Sequence, residues 1–345
     1  MLISCIPAYR LPRETIRKEI RSLLDENISL KCGTTLGRDL TIDDLFRDGF
    51  KAIFLAIGAN RSGRLELEGE TLDGIYSSMQ FLKAYNLKGR ELAGGLVGVV
   101  GGGNSAVDAA RVAVRQNYVD GVTLLYRRTT QEMPAYAEEV EAALEEGIKL
   151  ETLVSPVRIR YIETAMKEGI KVETMVSPVK IHSKDGRLVG IECIRNTLGE
   201  PDAGGRRKPI PIPGTEFTIP LNTLIVAIGE RPDSECLASM GLKLDKGGRL
   251  CVDPKTLQTN REGVFGGGDL VTGPYTVVDA IAAGQRAAAS IDRYLQGAES
   301  AKLPVSRLPE VFIEPPVFDD EEQGELTRAE PPTLPIVLRN KSFAE

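Results

Sequence analysis

One histidine, His182, is the whole complement of imidazole in 345 residues. A single histidine cannot build a Ser-His-Asp triad or a multi-histidine metal site. It stands just before a Lys-Asp-Gly turn, where a solvated loop position is expected. Cysteine is equally uninformative as chemistry. Cys5, Cys32, Cys193, Cys236 and Cys251 are scattered singly, and no C-x-x-C occurs. That argues against a dithiol redox pair, a thiolate zinc site and a complete iron–sulfur ligand set, so no metal site is expected. Each cysteine reads as a small apolar residue. No apolar run approaches membrane-spanning length, and no signal peptide precedes the first polar segment. A cytoplasmic protein without membrane insertion is the expectation. No block of like charge stands out at a net charge of −6 and a pI of about 5.3, so nucleic acid and anionic membranes are poor partners.

What is present is an ordinary globular composition, 42% hydrophobic and 27% charged, with room for two domains. The most informative stretch is Leu96 to Arg128, LVGVVGGGNSAVDAARVAVRQNYVDGVTLLYRR. Val97 to Val100 reads as a buried parallel strand that enters the turn Gly101-Gly102-Gly103. A helix pattern runs from Asn104 to about Gln116, and Val122 to Tyr126 reads as the next strand. This is one βαβ unit with G-x-G-x-x-A at its first turn. Gly101 permits the tight turn, Gly103 lets the backbone approach a pyrophosphate, and Ala106 lets helix and strand pack closely. The helix start, with Asn104 and Ser105, offers N–H groups and a positive dipole end to phosphates. Where an NAD site places an acidic residue, this chain places Arg127 and Arg128. Two guanidinium groups suit a 2′-phosphate, so NADP(H) is the expected dinucleotide.

The rest of the chain alternates helices and short strands. Helices are expected at Arg13 to Asp25, Thr41 to Asp48, residues 72 to 86, Glu138 to Glu146 and Thr276 to Leu295. Ala52 to Gly58 and Leu224 to Gly229 read as strands that both end in Ala-Ile-Gly. Asp185-Gly186 marks a hairpin, and Gly263 to Asp269 a strand and turn. Asp202 to Pro213 reads as a Gly/Arg/Pro-rich loop. Beyond Gly297 lie seven of the twenty prolines, so 299–345 reads as an extended tail. Residues 143–159, ALEEGIKLETLVSPVRI, recur at 165–181 as AMKEGIKVETMVSPVKI, an offset of 22 residues. Two copies do not make a solenoid. An extra strand or surface excursion is expected, with a widened docking edge as the alternative.

Several motifs together resemble one family. IPAYRLPRE at 6–14, FLAIGA at 54–59, VVGGGNSAVDAAR at 99–111, LLYRRTTQEMPA at 124–135, GGRRKPIPIPG at 204–214, VAIGERPD at 226–233 and VFGGGDLVTGPYTVVDAIAAGQRAA at 264–288 are similar to the NADPH-dependent glutamate synthase small (beta) subunit and its relatives. These belong to the pyridine nucleotide-disulfide oxidoreductase superfamily. The resemblance implies an α/β, Rossmann-like, doubly wound flavoprotein of the two-dinucleotide-binding-domain type. It implies NADP(H) on Gly101, Gly102, Gly103, Asn104, Ser105 and Ala106, with Arg127 and Arg128 on the 2′-phosphate. It implies FAD near Gly267, Gly268 and Asp269, the aspartate holding the ribityl chain, and a helix from about Thr276 aimed at the isoalloxazine ring. Gly58 and Gly229 would mark the hand-over between domains.

The same resemblance implies a division into 1–59 as a remnant of the FAD domain, 60–222 as the NAD(P)H-binding domain, 223–298 as the C-terminal part of the FAD domain, and 299–345 as tail. Met1 falls just after the place where the family's first flavin-binding βαβ unit ends. The chain therefore reads as a fragment or internal start of a longer flavoprotein, with an incomplete FAD domain, weakened FAD binding and an inserted NAD(P)-binding domain. The family's cysteine-rich iron–sulfur regions have no counterpart here. The expected activity is NADPH to FAD hydride transfer, with electrons passed to iron–sulfur clusters or a partner subunit. No protein acid or base is demanded, so no catalytic residue is assigned. The alternative is an NADP(H)-binding module without turnover. A disulfide reductase of thioredoxin reductase type fails on the missing C-x-x-C.

Overall fold

The computed structural model of the chain describes residues 1–129, 132–135, 140, 144, 148–153, 175–201 and 206–297. The elements, in chain order, begin with helices α1 (Arg13–Leu23) and α2 (Ile42–Arg47), then short strands β1 (Ile53–Leu55), β2 (Arg61–Ser62) and β3 (Ile75–Ser77). Helix α3 (Ser78–Lys88), strand β4 (Gly95–Val100), helix α4 (Asn104–Val114) and strand β5 (Val119–Thr129) follow. Next come strands β6 (Lys149–Leu153), β7 (Val176–Lys184), β8 (Arg187–Pro201), β9 (Arg207–Pro211), β10 (Phe217–Pro220), β11 (Thr223–Val226) and β12 (Glu230–Arg231). Helix α5 (Ser234–Ser239), strand β13 (Val264–Gly266) and helices α6 (Asp269–Thr272) and α7 (Val277–Leu295) complete the described chain.

Among the described residues two compact units emerge, one of residues 1–32 and 60–231 and one of 33–59 and 232–297. The first is built on a five-stranded parallel sheet of order β3-β11-β4-β5-β6. Both faces of this sheet are covered, which is why its strands read as continuous apolar runs. On one face Val97, Val99, Leu124 and Ile225 pack with Phe81 and Leu82 of α3 and with Ala106, Val107 and Ala110 of α4. On the other face Val100, Leu125, Leu224 and Val226 pack with Val176, Ile191 and Cys193. These last belong to an antiparallel arm in which β8 pairs with β7, β9 and β10. The Asp185-Gly186 pair turns β7 into β8, with φ of +52° and +75° at the two residues. That left-handed pair is the geometry an Asp-Gly hairpin turn supplies at low cost.

The second unit has a core of Ile42, Ile53, Leu55, Leu237, Leu250, Val264 and Leu270. Its strands β1 and β13 pair in parallel. Thr41 and Asp44 form a capping box that starts α2.

Several elements depart from expectation. The helix expected over 72–86 begins only at Ser78, because Ile75–Ser77 joins the parallel sheet as β3 and Ser77 then caps α3 through the Gln80 N–H. Helix α1 stops at Leu23, two residues short of Asp25. His182 lies within β7 rather than in a loop, with Nε2 3.0 Å from Glu192 Oε2 on the neighbouring strand. Only Cys193 is buried among the cysteines, and Cys32 is exposed. The units are also drawn differently from the expected segments. Residues 1–32 fall in the unit of the dinucleotide-type sheet rather than with 33–59, and 223–231 falls there too, with β11 inside that sheet and β12 paired with β2 in a separate two-stranded sheet. A cation–π stack ties the start of the chain down. The guanidinium groups of Arg111 and Arg115 stand 4.3 and 4.6 Å from the Tyr9 ring centroid, and Arg10 pairs with Asp108 at 2.8 Å. Apart from residues 140 and 144, the expected helix at 138–146 lies outside the described residues, as do most of the duplicated stretch and the tail, although β6 comes from the first copy and β7 includes the end of the second.

Candidate functional site

Strand β4 ends in the three glycines, and each is glycine for a different reason. The Gly101 N–H donates to Leu125 O at 3.0 Å, and Ala227 N–H donates to Val100 O at 2.8 Å, so β11 and β5 clamp the turn from both sides. Gly101 has φ +149°, and a Cβ there would lie 2.2 Å from Ala227 O and 3.1 Å from the Ala106 Cβ. A Cβ on Gly102 would lie 2.5 Å from two ring carbons of Tyr126. Gly103 is different. Its backbone is extended at φ −93°, which any residue adopts, and the nearest atom to a built Cβ is Pro134 Cγ at 3.8 Å. The fold therefore requires the first two glycines, whereas nothing in the protein's own packing requires the third. A missing side chain at Gly103 keeps backbone open to something from outside.

Helix α4 begins at that point. Gly103 is its N-cap and offers no side chain to the first turn, which Asn104 and Ser105 head from half-buried positions. Ala106 is fully buried against the turn. An uncapped N-terminus behind an open glycine has the donor set that holds a pyrophosphate. The residues present fit a dinucleotide at this place.

The far end of β5 supplies cations, though not as the sequence suggested. Successive strand residues face opposite sides. Arg127 is exposed, while Arg128 is 5% exposed and donates from Nε to Arg207 O at 2.7 Å. The Arg127–Arg128 pair is thus split between surface and interior. Residues 132–135 fold back over the glycine turn, with the Ala135 N–H on Gly102 O at 3.1 Å and the Tyr126 hydroxyl on Glu132 O at 2.7 Å. Glu132 anchors this segment. Its carboxylate accepts from the Thr129 amide at 3.0 Å, the Thr129 hydroxyl at 2.7 Å and Arg207 Nε at 2.7 Å. Burial pushes the Glu132 carboxyl up, but those three donors outweigh it and hold the group below the usual carboxylate range. Burial likewise pushes the Tyr126 phenol up, against the charges of Arg128, Arg206 and Arg127.

The second unit carries Gly267, Gly268 and Asp269. Gly268 sits at φ +66°, ψ −153°, a region only glycine occupies comfortably. The Asp269 carboxylate is half-buried, burial raises its pKa, and among the described residues its hydrogen bond comes from the Tyr275 N–H at 3.3 Å. A half-buried carboxylate with a single long hydrogen bond has acceptor capacity to spare, which fits a hydroxyl-bearing ligand such as a ribityl chain. Thr276 caps α7 by accepting from the Asp279 N–H, and its hydroxyl also bonds the Asp279 side chain, so its polar atom serves the helix itself. Gly58 and Gly229, at φ +68° and +109°, stand within two residues of the points where the chain passes between units.

Sequence reasoning missed Glu132, Arg206 and Arg207. Both motifs that contain them were visible, but the Glu132–Arg207 contact spans 75 residues and has no local signature.

Residues 8–284 match the family described as pyridine nucleotide-disulphide oxidoreductase. The chain is 38% identical to the NADP(+)-dependent formate dehydrogenase subunit beta of Moorella thermoacetica, over 100% of this chain and 46% of that protein. It is 33% identical to the NADPH-Fe(3+) oxidoreductase subunit beta of Geobacter sulfurreducens, over 94% of this chain and 48% of that one. With the glutamate synthase [NADPH] small chain of Escherichia coli it shares 35% identity over 84% of this chain and 60% of that one. The chain thus spans about half the length of the first two relatives. The solved structure of Mycobacterium tuberculosis FprA in complex with NADPH shares the fold, with a TM-score of 0.69 at 18% identity over 88% of this chain and 77% of that one.

Proposed function

Because the chain belongs to the pyridine nucleotide-disulphide oxidoreductase family, we propose that it is an NADPH-dependent flavin oxidoreductase subunit that passes electrons to an iron–sulfur centre or a partner subunit. Its cofactors on this reading are NADP(H) and FAD. The observation that carries the reading is Gly103, half-buried at the head of a helix without a side-chain cap, where the protein's own packing asks for no glycine. The relatives' names, each containing NADP(+) or NADPH, support the choice of dinucleotide.

The chain's residues bind and orient. The Gly101–Gly103 backbone and the start of α4 hold the pyrophosphate, and the arginines at the end of β5 take the 2′-phosphate. The Glu132 segment closes over the turn and fixes Tyr126 against it. In the second unit Asp269 accepts from the flavin's ribityl hydroxyls. The bound flavin supplies the exchange between two-electron hydride chemistry and one-electron transfer. No side chain near the glycine turn needs to move a proton for this role.

A second reading, a dinucleotide-binding module without turnover, draws support from the first unit, which has the glycine turn, the arginines and a core of its own. Absorbance of the purified chain separates the two. A yellow protein whose flavin bleaches on adding NADPH supports the oxidoreductase. A colourless protein that binds NADPH supports the module.

A further inference from the structure

We propose that Arg206, immediately before β9, determines selectivity for the 2′-phosphorylated dinucleotide, and that Arg207 is the positioning residue that holds it there. The inference rests on the dinucleotide reading above and deepens it.

Arg127 faces out from β5, but Arg128 turns inward and spends its Nε on a main-chain carbonyl. That carbonyl belongs to Arg207, so Arg128 ties the end of β5 to the antiparallel arm. The arm answers with a side chain: Arg207 Nε reaches the Glu132 carboxylate at 2.7 Å. Arg207 is therefore fixed twice, through its main-chain oxygen by Arg128 and through its guanidinium by Glu132. Two such ties, both charge-assisted, are among the stronger ones a protein makes. They set the position of the preceding residue, exposed Arg206, to within one peptide unit.

Where Arg206 is held matters. Its charge acts on the Tyr126 phenol together with those of Arg127 and Arg128. Tyr126 in turn lies against Gly102, one residue from the open Gly103. Four guanidinium groups from two distant segments thus gather beside the glycine turn, with Glu132 among them. Arginine suits a terminal phosphate because its planar fork matches the oxygens. Arg128 is buried, and Arg207, itself exposed, has its Nε on Glu132; exposed Arg127 and Arg206 flank that tie, one from β5 and one from the arm, and form the phosphate-facing pair.

The test uses the full chain and two ligands that differ only in the 2′-phosphate, NADP+ and NAD+. Calorimetric titration of Arg206→Ala should show the Kd for NADP+ rising about ten-fold or more and the Kd for NAD+ changing less than about two-fold. Arg206→Lys should recover part of the loss, and Arg206→Ala should lessen the salt dependence of NADP+ binding alone. Thermal melting of each variant establishes that it is folded. Equal weakening of both nucleotides, or no weakening of either, overturns the role of Arg206 while leaving the dinucleotide site standing. Wild-type protein that binds neither nucleotide overturns the dinucleotide reading itself, and this inference with it.

Discussion

The Tyr126 ring lies flat enough against Gly102 that a single methyl there would come within 2.5 Å of its carbons. The ring cannot swing away freely, because its hydroxyl is bound to Glu132 O at 2.7 Å. The glycine turn is thus braced by the strand next door and by the segment that follows that strand.

The three glycines should fail in three different ways when changed to alanine. Gly101→Ala drives a methyl into the Ala227 carbonyl and should abolish folding of the first unit. Gly102→Ala overpacks Tyr126 and should cost about 1–3 kcal/mol. Gly103→Ala meets Pro134 Cγ at 3.8 Å, an ordinary van der Waals distance, and should cost about 1 kcal/mol or less, typical of a changed N-cap, yet should weaken dinucleotide binding at least ten-fold. Melting curves read beside NADPH titrations of the three variants check the series. A Gly103→Ala variant that binds NADPH normally contradicts the placing of the dinucleotide against Gly103.

Arg127 and Arg128 should separate on the same two measurements. Arg127→Ala should lower the melting temperature less than Arg128→Ala does and weaken NADPH more than NADH. Arg128→Ala should lower stability by about 1 kcal/mol, since it breaks the tie to Arg207 O. If the two variants behave alike, the division of the pair into an exposed and a buried member has no functional meaning.

Glu132 gives the protein an acid-sensitive latch. Its carboxyl is held below its ordinary value in the fold, so its ionised form stabilises the native state above the unfolded carboxylate value of about 4.3. That contribution is lost as pH falls through the lower folded value. Glu132→Gln should therefore be less stable than wild type at neutral pH and should converge with it in acid. Melting temperatures from neutral pH down to about 3 test this, and two parallel curves would refute the latch.

The 22-residue repeat should be dispensable for the fold. Strand β6 is drawn from the first copy and β7 includes the end of the second. Deleting residues 154–175 joins Leu153 to Val176 and rebuilds a single EEGIKLETLVSPVKI segment. Closing a shorter loop costs little entropy, so the melting temperature should hold or rise. A large fall would show that both copies are needed.

The sequence displayed what is local. The βαβ unit from β4 to β5 was legible because its apolar runs, glycine spacing and helix period all lie within about thirty residues and agree with one another. The Asp185-Gly186 turn was legible for the same reason. At residues 72–77 an apolar spacing suited helix or strand, and only pairing with β11 decided for β3. The Arg127–Arg128 pair was visible as chemistry, but its split depends on Arg207, which reaches it from the antiparallel arm. Tyr9 and its arginine stack were hidden likewise, since the adjoining Arg10–Asp108 pair spans 98 residues. Contacts of that separation leave no periodic trace.

Fluorescence titration of the chain with NADPH, followed by competition with adenosine 2′,5′-bisphosphate, addresses the open glycine turn most directly. The account predicts saturable binding that the bisphosphate displaces and that 5′-AMP displaces much more weakly. Absence of saturable binding, or equal displacement by the two competitors, would contradict it.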